Sequence, residues 1–508
     1  MKDQDFTAHI QKGYTTKGDS IFLGAAMLEG KPIPEAQVRI PLKTLNRHGL
    51  IAGATGTGKT KTLQILAENL SDKGIPVLLM DIKGDLSGIA KAAENPEKLA
   101  ERHKIIGYEF TPKASPVELM SLSEQPGLRL KATVSEFGPV LLARILELSE
   151  AQTGILAILF KYCDDNHLPL LDLKDLKKIL IYSTEEGQKE IEQNYGRISK
   201  ASTGAIMRKI VSLEQQGAER FFGEPSFEVQ DLVRKTADGK GYVNIIRLDD
   251  IQDKPSLFST FMLSLLAEIY SSFPEQGDSG KPELVLFIDE AHLIFREASK
   301  ALMDQLESII KLIRSKGIGI YFVTQDPTDV PSEILGQLGL KIQHALRAFT
   351  AKDRKAIKLT AENYPISEYY DTKTVLTSLG TGEALVSVLD EKGRPTPLAA
   401  TMLRAPMSRM DILTPQEISG IISGSELAPK YNKDVDRESA HEILGKKMER
   451  AEKEEAMEKA RQERETIEKS SRRSRSRSGG GTQGAVLKVL TSASFIRGVM
   501  SILNKALK

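Results

Sequence analysis

The segment at residues 53–60 constrains the fold of this chain more than any other. It reads Gly53-Ala54-Thr55-Gly56-Thr57-Gly58-Lys59-Thr60, which matches the pattern G-x-x-x-x-G-K-T. An apolar run at 49–52 precedes it and a helical pattern at 62–67 follows it. Because this motif forms a phosphate-binding loop when it joins a strand to a helix, the context predicts such a loop rather than an ordinary glycine turn.

The loop predicts a nucleotide with Mg²⁺ as its ligand. Its three glycines let the backbone N–H groups turn inward around a phosphate chain. Lys59 is then expected to reach the β- and γ-phosphates, and the Thr60 hydroxyl to ligate Mg²⁺. The candidate nucleotide-binding residues are Gly53, Ala54, Thr55, Gly56, Thr57, Gly58, Lys59, Thr60 and Lys61.

Strand-like and helical patterns alternate along much of the chain. Short apolar runs that are typical of strands lie at 77–80, 242–246, 284–288, 318–323 and 384–388, and helical patterns separate several of them. This alternation predicts an α/β fold with a mostly parallel central sheet that helices cover on both faces.

Changes in composition divide the chain into segments. The pattern between the first strands and the later ones is mostly helical, which indicates an insertion into the core. The C-terminal part is rich in Glu, Lys, Arg and Ala, then in Ser, Arg and Gly, and it ends in an apolar stripe flanked by basic residues. The predicted segments are a short strand-rich N-terminal segment at 1–40, the first part of the core at 41–95, a helical insertion at 96–238, the second part of the core at 239–405, a helical extension at 406–469, a Ser/Arg/Gly linker at 470–484 and an amphipathic basic helix at 485–508.

The overall composition argues against several classes of protein. There are 70 Lys and Arg against 69 Asp and Glu, so bulk charge does not indicate nucleic-acid binding. Cys163 is the one cysteine, which excludes an internal disulfide and a Cys-rich zinc site. The sequence shows neither a secretory signal pattern nor about eighteen consecutive apolar residues, so we expect a cytoplasmic protein without a membrane span.

Two carboxylates follow the apolar run at 284–288. Hydrolysis of a nucleotide needs a carboxylate on the metal side and a group that activates water. Asp289 is the candidate Mg²⁺ ligand and Glu290 the candidate general base, and an acidic surface turn is the alternative. Asp81 also follows an apolar run and is a second candidate for the metal side. Since it lacks a following Glu, it fits better on a strand between the loop and the Asp-Glu strand.

Polar and basic residues around the run at 318–323 complete the predicted site. Gln325 follows this strand, where an amide would contact both the γ-phosphate and the attacking water; a turn residue before Pro327 is the alternative. Arg314 precedes the strand and Arg347 follows the next apolar segment. Either would serve a neighbouring subunit as an arginine finger, and surface arginine is the ordinary explanation. The candidate catalytic residues are Lys59, Glu290, Gln325 and Arg314.

The string Asp289-Glu290-Ala291-His292 also suggests a DEAH-box helicase. The glycine-rich loop and its long separation from Asp289 fit that family less well. Taken together, the motifs resemble the HerA/FtsK group of P-loop ATPases, and most of all the bacterial HerA-like proteins of the YjgR type. The resemblance covers roughly residues 10–445 and rests on the segments 53–60, 81–85, 284–292 and 317–327.

This resemblance implies a RecA-like core that assembles as a homo-hexameric ring, hydrolyses ATP with Mg²⁺ between subunits and translocates duplex DNA through its pore. For archaeal members it also implies a nuclease partner. By the same likeness, Lys59, Thr60, Asp289, Glu290 and Gln325 take the roles given above. Arg314 corresponds to an arginine near the subunit interface.

Three functions agree with these features. The main hypothesis is an ATP-driven DNA translocase or helicase-like motor. The second is an ATP-dependent oligomeric switch or scaffold that recruits a protein partner without moving DNA. The third is a transport ATPase at a membrane, with the basic helix at 485–508 lying on the membrane surface. The response of the ATPase rate to DNA distinguishes the first hypothesis from the second.

Overall fold

The computed structural model describes residues 2–94, 96–251, 254–277, 279–296, 300–348 and 350–475. These residues divide into two compact units, the first ending at Ile443 and the second beginning at Leu444. The predicted basic helix at 485–508 and most of the predicted linker at 470–484 lie outside the described residues. The predicted segment boundaries remain predictions.

The described part of the chain contains twelve strands, and all of them belong to one sheet. They are β1 (Ser20–Leu28), β2 (Lys31–Pro41), β3 (Gly49–Ala52), β4 (Val77–Asp81), β5 (Val117–Ser121), β6 (Leu128–Arg129), β7 (Val243–Arg247), β8 (Leu284–Ile288), β9 (Ile318–Thr324), β10 (Leu340–His344), β11 (Glu383–Ser387) and β12 (Ala399–Leu403). Their order across the sheet is β2-β1-β12-β11-β10-β3-β9-β8-β4-β7-β5-β6.

The sheet is parallel through most of its width. The eight strands from β10 to β6 run parallel to one another, whereas β2, β1, β12 and β11 pair in antiparallel fashion at one side, where β11 is antiparallel to β10. Every residue of β3, β8 and β9 is buried. Strands covered on both faces need apolar side chains at every position, which explains their continuous apolar runs. The predicted α/β fold with a mostly parallel sheet is confirmed.

Seventeen α-helices occur among the described residues. They are α1 (Lys2–Tyr14), α2 (Lys59–Asp72), α3 (Pro96–Ile105), α4 (Val134–Ile145), α5 (Glu150–Asp165), α6 (Leu173–Tyr182), α7 (Gln188–Tyr195), α8 (Lys200–Glu214), α9 (Pro255–Ser272), α10 (His292–Arg296), α11 (Lys300–Ile313), α12 (Ser332–Leu335), α13 (Ala351–Glu362), α14 (Thr372–Ser378), α15 (Pro415–Gly424), α16 (Ala428–Tyr431) and α17 (Ala440–Arg475).

Four of the five helices between β6 and β7, namely α4, α5, α6 and α8, start where the sequence supplies capping residues. The N-cap side chain of α4, Thr133, accepts the N–H of Glu136, whose side chain in turn accepts the N–H of Thr133. Ser149 and Gln152 do the same for α5. Such reciprocal hydrogen bonds satisfy N–H groups that a helix start leaves unpaired.

Two features of the fold differ from the sequence pattern. The chain begins with α1, whose Phe6 and Ile10 enter the core, although the pattern indicates strands in this region. Strands β5 and β6 lie within the segment that the pattern assigns to a helical insertion, and β5 pairs in parallel with β7. Short strands of this kind depend on distant partners, which a local pattern does not reveal.

Candidate active site

The candidate residues converge because four strands end at the same edge of the sheet. Ala52 of β3 is paired with Thr324 of β9, and Ile288 of β8 is paired with Phe322 of β9 and with Met80 of β4. The segments that follow these four strands therefore leave the sheet side by side. Ligands of open parallel sheets bind beyond these carboxyl ends.

The loop at 53–60 has the backbone geometry that its glycines predict. Gly53, Gly56 and Gly58 have φ angles of 149°, 76° and 111°, which residues with a Cβ rarely adopt. A Cβ on Gly53 would lie 2.5 Å from Cβ of His344, so the loop packs closely on the end of β10. Helix α2 begins at Lys59, and the N–H groups of a helix start attract an anion. The loop is therefore shaped to hold a phosphate chain.

Hydrogen bonds to the surrounding core hold the loop in this shape. The N–H of Ala54 donates to the carbonyl of Ala345 at 2.9 Å, and the hydroxyl of Thr57 donates to the carbonyl of Ala54 at 2.7 Å. The carbonyl of Thr57 accepts the N–H of Gly382 at 3.0 Å. Thr60 is partly exposed as the second residue of α2.

The two lysines in the first turn of α2 have different partners. Nζ of Lys59 donates to the carbonyls of Gly53 at 2.7 Å and Ala54 at 3.1 Å, so its ammonium lies within the loop. Nζ of Lys61 donates to the carbonyl of Met410 at 2.5 Å. Lys61 therefore ties the segment after β12 to α2, and its contact with a nucleotide remains a prediction.

Asp289 and Glu290 are buried where β8 ends. Oδ2 of Asp289 has no hydrogen-bond partner among the described residues. Burial raises the pKa of Asp289 to about 6, and the charge of Lys83 opposes that rise. Glu290 has a φ of 45°, in the left-handed region that residues other than glycine seldom occupy. A buried, unsatisfied carboxylate oxygen beside a strained backbone is typical of a site that binds a ligand.

Gln325 connects the loop to Glu290. Its Oε1 accepts the hydroxyl of Thr55 at 3.3 Å, and its Nε2 donates to Oε1 of Glu290 at 3.5 Å, which is the limit of a hydrogen bond. Oε2 of Glu290 lies 3.1 Å from Nδ1 of His292, in a geometry that is not that of a hydrogen bond. Glu290 is thus the point at which the loop, β8 and β9 meet.

Asp81 lies at the same edge, but its carboxylate accepts hydrogen bonds from the turn that follows β4. Its buried carboxylate accepts the N–H groups of Gly84 at 2.8 Å, Asp85 at 3.2 Å and Leu86 at 3.1 Å. Burial raises the pKa of Asp81 to about 7 despite these hydrogen bonds. This arrangement favours Asp289 over Asp81 as the carboxylate that faces a metal.

Lys83, in the turn after β4, also enters the site. Its ammonium forms an ion pair with Oε1 of Glu290. Burial lowers the pKa of Lys83, but the charges of Asp289, Glu290 and Asp85 outweigh burial and raise it. Burial and then the charge of Lys83 lower the pKa of Lys59. Sequence reasoning gave Lys83 no role, although its position just after a buried strand was the available signal.

The two candidate arginines lie at opposite ends of the strands. Arg314 is exposed in the 3-10 turn Arg314–Lys316, which immediately precedes β9. The seven residues of β9 separate Arg314 from Gln325, and at about 3.3 Å per residue they span roughly 20 Å. Arg314 therefore lies far from the loop of its own chain. Arg347 is exposed just after β10, at the end of the sheet where the loop lies.

Two classes of feature are absent from the residues that the structure describes. No group of three or more His, Cys, Asp or Glu side chains in these residues could hold a metal ion. None of their helices is long and apolar enough to span a membrane.

The sequence matches a family profile over almost its whole length. The family described as "Helicase HerA-like C-terminal" matches residues 27–507. The DNA double-strand break repair helicase HerA of Sulfolobus acidocaldarius is 25% identical over 377 residues, which cover 72% of this chain and 68% of that protein. The protein of the same name from Sulfurisphaera tokodaii is 25% identical over 388 residues, with the same coverage of both chains.

Solved structures of a conjugative coupling protein share the fold. The bacterial conjugative coupling protein TrwBdeltaN70 superposes with a TM-score of 0.53 at 14% identity, over 80% of this chain and 94% of that chain. The plasmid coupling protein TrwB in complex with ADP and Mg²⁺ gives a TM-score of 0.51 at the same identity. At this identity the likeness establishes the fold alone, which agrees with the predicted RecA-like core.

Proposed function

Because this chain belongs to the family of HerA-like helicases, we propose that it is an ATP-hydrolysing motor that acts on DNA. The observation that carries the proposal is the convergence of Lys59, Asp289, Glu290 and Gln325 beyond the carboxyl ends of β3, β8 and β9. The relatives from two archaea are named as DNA double-strand break repair helicases, which supports DNA as the molecule on which the motor works.

The loop would bind the triphosphate of ATP. Its glycine backbone leaves room for the phosphates, and Lys59 already directs its ammonium into the loop. The residues present also fit a Mg²⁺ ion, because Oδ2 of Asp289 is buried without a partner among the described residues and the Thr60 hydroxyl lies in the first turn of α2. Mg²⁺ held by Thr60 and Asp289 would neutralise charge on the phosphate oxygens.

Glu290 would accept a proton from the attacking water. Its carboxylate lies next to Gln325, whose amide would orient the water and contact the terminal phosphate. The buried position of Glu290 keeps bulk water from competing for this carboxylate.

The proposed role of Arg314 requires a second subunit. If this arginine acts in catalysis, its place at the amino ends of the strands allows it to act only at the site of another subunit, as a trans arginine finger does. We propose a homo-hexamer in which each subunit completes its neighbour's site, with DNA in the central pore. The nuclease partner and the cytoplasmic location stay predictions.

The decisive experiment measures the ATPase rate at moderate salt with and without long duplex or single-stranded DNA. The motor should be stimulated by DNA, and the stimulation should weaken as salt rises, because contacts between protein cations and DNA phosphates release counterions. Lys59→Ala, which should abolish nucleotide binding or turnover, is the control for a contaminating ATPase. A rate that neither form of DNA changes would contradict the motor and support the switch or scaffold.

A further inference from the structure

The turn after β4 is built to hold Lys83 in one place. Three N–H groups, those of Gly84, Asp85 and Leu86, donate to the single carboxylate of Asp81. Gly84 has a φ of 73°, which lets the chain reverse directly after Lys83. The backbone on both sides of Lys83 is therefore fixed at the edge of the site.

The side chain of Lys83 pairs with a buried carboxylate but is itself partly exposed, so it has space to move away from this partner. Its ammonium pairs with Oε1 of Glu290, whose side chain is 7% exposed, whereas the side chain of Lys83 is 34% exposed. The same oxygen also receives the amide of Gln325 at 3.5 Å. The carboxylate oxygen that would accept a proton from the attacking water is therefore already occupied by two donors, the ammonium of Lys83 and the amide of Gln325. The ion pair with Lys83 therefore opposes the role proposed for Glu290.

A terminal phosphate would compete with Glu290 for Lys83. Lys59 donates to carbonyls of the loop, and Lys83 pairs with Glu290, which Gln325 connects to the loop, so two cations lie on this side of the site. An anion between two cations offsets their mutual repulsion, and a phosphate carries more negative charge than one carboxylate. A γ-phosphate placed by Lys59 would attract Lys83, whereas ADP offers no group at that position.

We propose that Lys83 is a second phosphate-binding lysine, which pairs with Glu290 in the absence of a γ-phosphate and moves to the γ-phosphate when ATP binds. The inference rests on the proposed function, since it assumes that ATP occupies this site. It gives Glu290 a reason to act on water only after ATP has bound, because departure of Lys83 frees Oε1 of Glu290 to contact the water. No bond to Lys83 forms or breaks in this exchange.

The test compares affinities for ADP and for a non-hydrolysable ATP analogue, measured by calorimetry on the full chain. Lys83→Met should weaken binding of the ATP analogue by about tenfold or more, because it removes a charged hydrogen bond, and should change ADP binding by less than about twofold. Lys83→Arg should keep both affinities near those of the wild type. Lys174→Met, at an exposed lysine of α6, is the matched control and should change neither.

Lys83→Met alone leaves the Glu290 carboxylate buried without its cation, which could destabilise the fold. A second pair of variants avoids this problem, because Glu290→Gln removes the buried charge. Glu290→Gln should bind both nucleotides, and adding Lys83→Met to it should again weaken the ATP analogue selectively. Equal weakening of ATP analogue and ADP, or no weakening of either, would overturn the inference. Because these are binding measurements, that outcome is distinct from failure of the motor, which appears as absence of DNA-stimulated turnover in the wild type.

Discussion

The two ends of the central parallel strands differ in how their buried polar groups are satisfied. At the amino ends, both ring nitrogens of His48 are paired, since Nε2 donates to the carbonyl of Ile310 at 2.8 Å and Nδ1 accepts the N–H of Ile320 at 3.0 Å. The hydroxyl of Tyr321 likewise donates to the carbonyl of Leu45 at 3.0 Å. These side chains are fully paired by the fold itself, although His48 has a left-handed φ of 54°, and Glu290 at the other end has one of 45°.

At the carboxyl ends, the buried groups are incomplete. Asp289 and Glu290 each have a carboxylate oxygen without a hydrogen-bond partner in the described part of the chain, and burial raises the pKa values of Asp81 and Asp289. Such features destabilise a fold and persist where a ligand compensates for them. The comparison supports the proposal that the carboxyl ends carry the chemistry, whereas His48 and Tyr321 stabilise the amino ends.

Arg314→Ala should have the largest effect on ATP turnover. It tests whether the amino ends of the strands contribute an arginine to the site at a neighbour's carboxyl ends. Turnover by a uniform ring should fall about 10³- to 10⁵-fold, because an arginine finger stabilises charge that develops only in the transition state. Nucleotide affinity should change little. Steady-state ATPase rates and equilibrium binding measure the two quantities, and Arg394→Ala, at an exposed arginine paired with Asp390, is the matched control.

Rings assembled from two different variant subunits test directly whether Arg314 acts at a neighbour's site. Combining Arg314→Ala subunits with Glu290→Gln subunits should restore part of the activity, since some interfaces then join an intact Glu290 to an intact Arg314. If Arg347→Ala lost this turnover and Arg314→Ala did not, the finger would lie at the carboxyl ends and the comparison would fail.

Glu290→Gln should reduce turnover about 10²- to 10⁴-fold, the usual contribution of a general base. Binding of ATP should persist, because the amide keeps the size of the side chain and the loop is unchanged. Single-turnover hydrolysis with a parallel binding assay separates the two steps. Glu333→Gln, at an exposed glutamate of α12, controls for loss of charge. Hydrolysis at the wild-type rate by Glu290→Gln would rule out Glu290 as the base.

The sequence predicted the residues at the carboxyl ends because each depends on a local pattern. The motif at 53–60 predicts its own glycine geometry, and Asp289 and Gln325 each follow an apolar run that is long enough for one buried strand. Parallel strands then bring their ends together without any further information. The fold class and the neighbourhood of the site could therefore be predicted.

Features that depend on distant partners could not be predicted in the same way. Strand β5 is short and becomes a strand by pairing with β7, which lies far along the chain. The ion pair between Lys83 and Glu290 depends on a turn whose shape is fixed by three hydrogen bonds to Asp81. Helix α1 is different, since Phe6 and Ile10 are four residues apart and a helical spacing was available in the sequence.

Gln325→Ala should reduce turnover less than Arg314→Ala or Glu290→Gln does. We expect a loss of about 10²-fold, which is typical when one neutral hydrogen-bond donor to a reacting group is removed. The amide contacts both Thr55 and Glu290, so the loss should appear in the rate of turnover more than in ATP affinity. The same ATPase and binding assays measure both quantities. Gln337→Ala, at an exposed glutamine, is the control. A loss confined to affinity would make Gln325 a support for the loop instead of a contact for the water.

The smallest effect is expected at the amino ends, where the prediction concerns stability and its dependence on pH. Burial lowers the pKa of His48 to about 4 from 6.5, although its hydrogen bond to Ile310 opposes the shift. Between these values the unfolded chain binds a proton that the folded protein does not, so the contribution of His48 to stability is lost as the pH falls below 6.5. At pH 5 that loss is about 2 kcal/mol.

The test measures thermal midpoints by near-ultraviolet circular dichroism at pH 7.5 and pH 5. The difference between the two midpoints should be smaller in His48→Gln than in the wild type. His9→Gln, at an exposed histidine of α1, should keep the wild-type difference, and an unchanged difference in His48→Gln would show that the amino ends are not stabilised by the neutral ring.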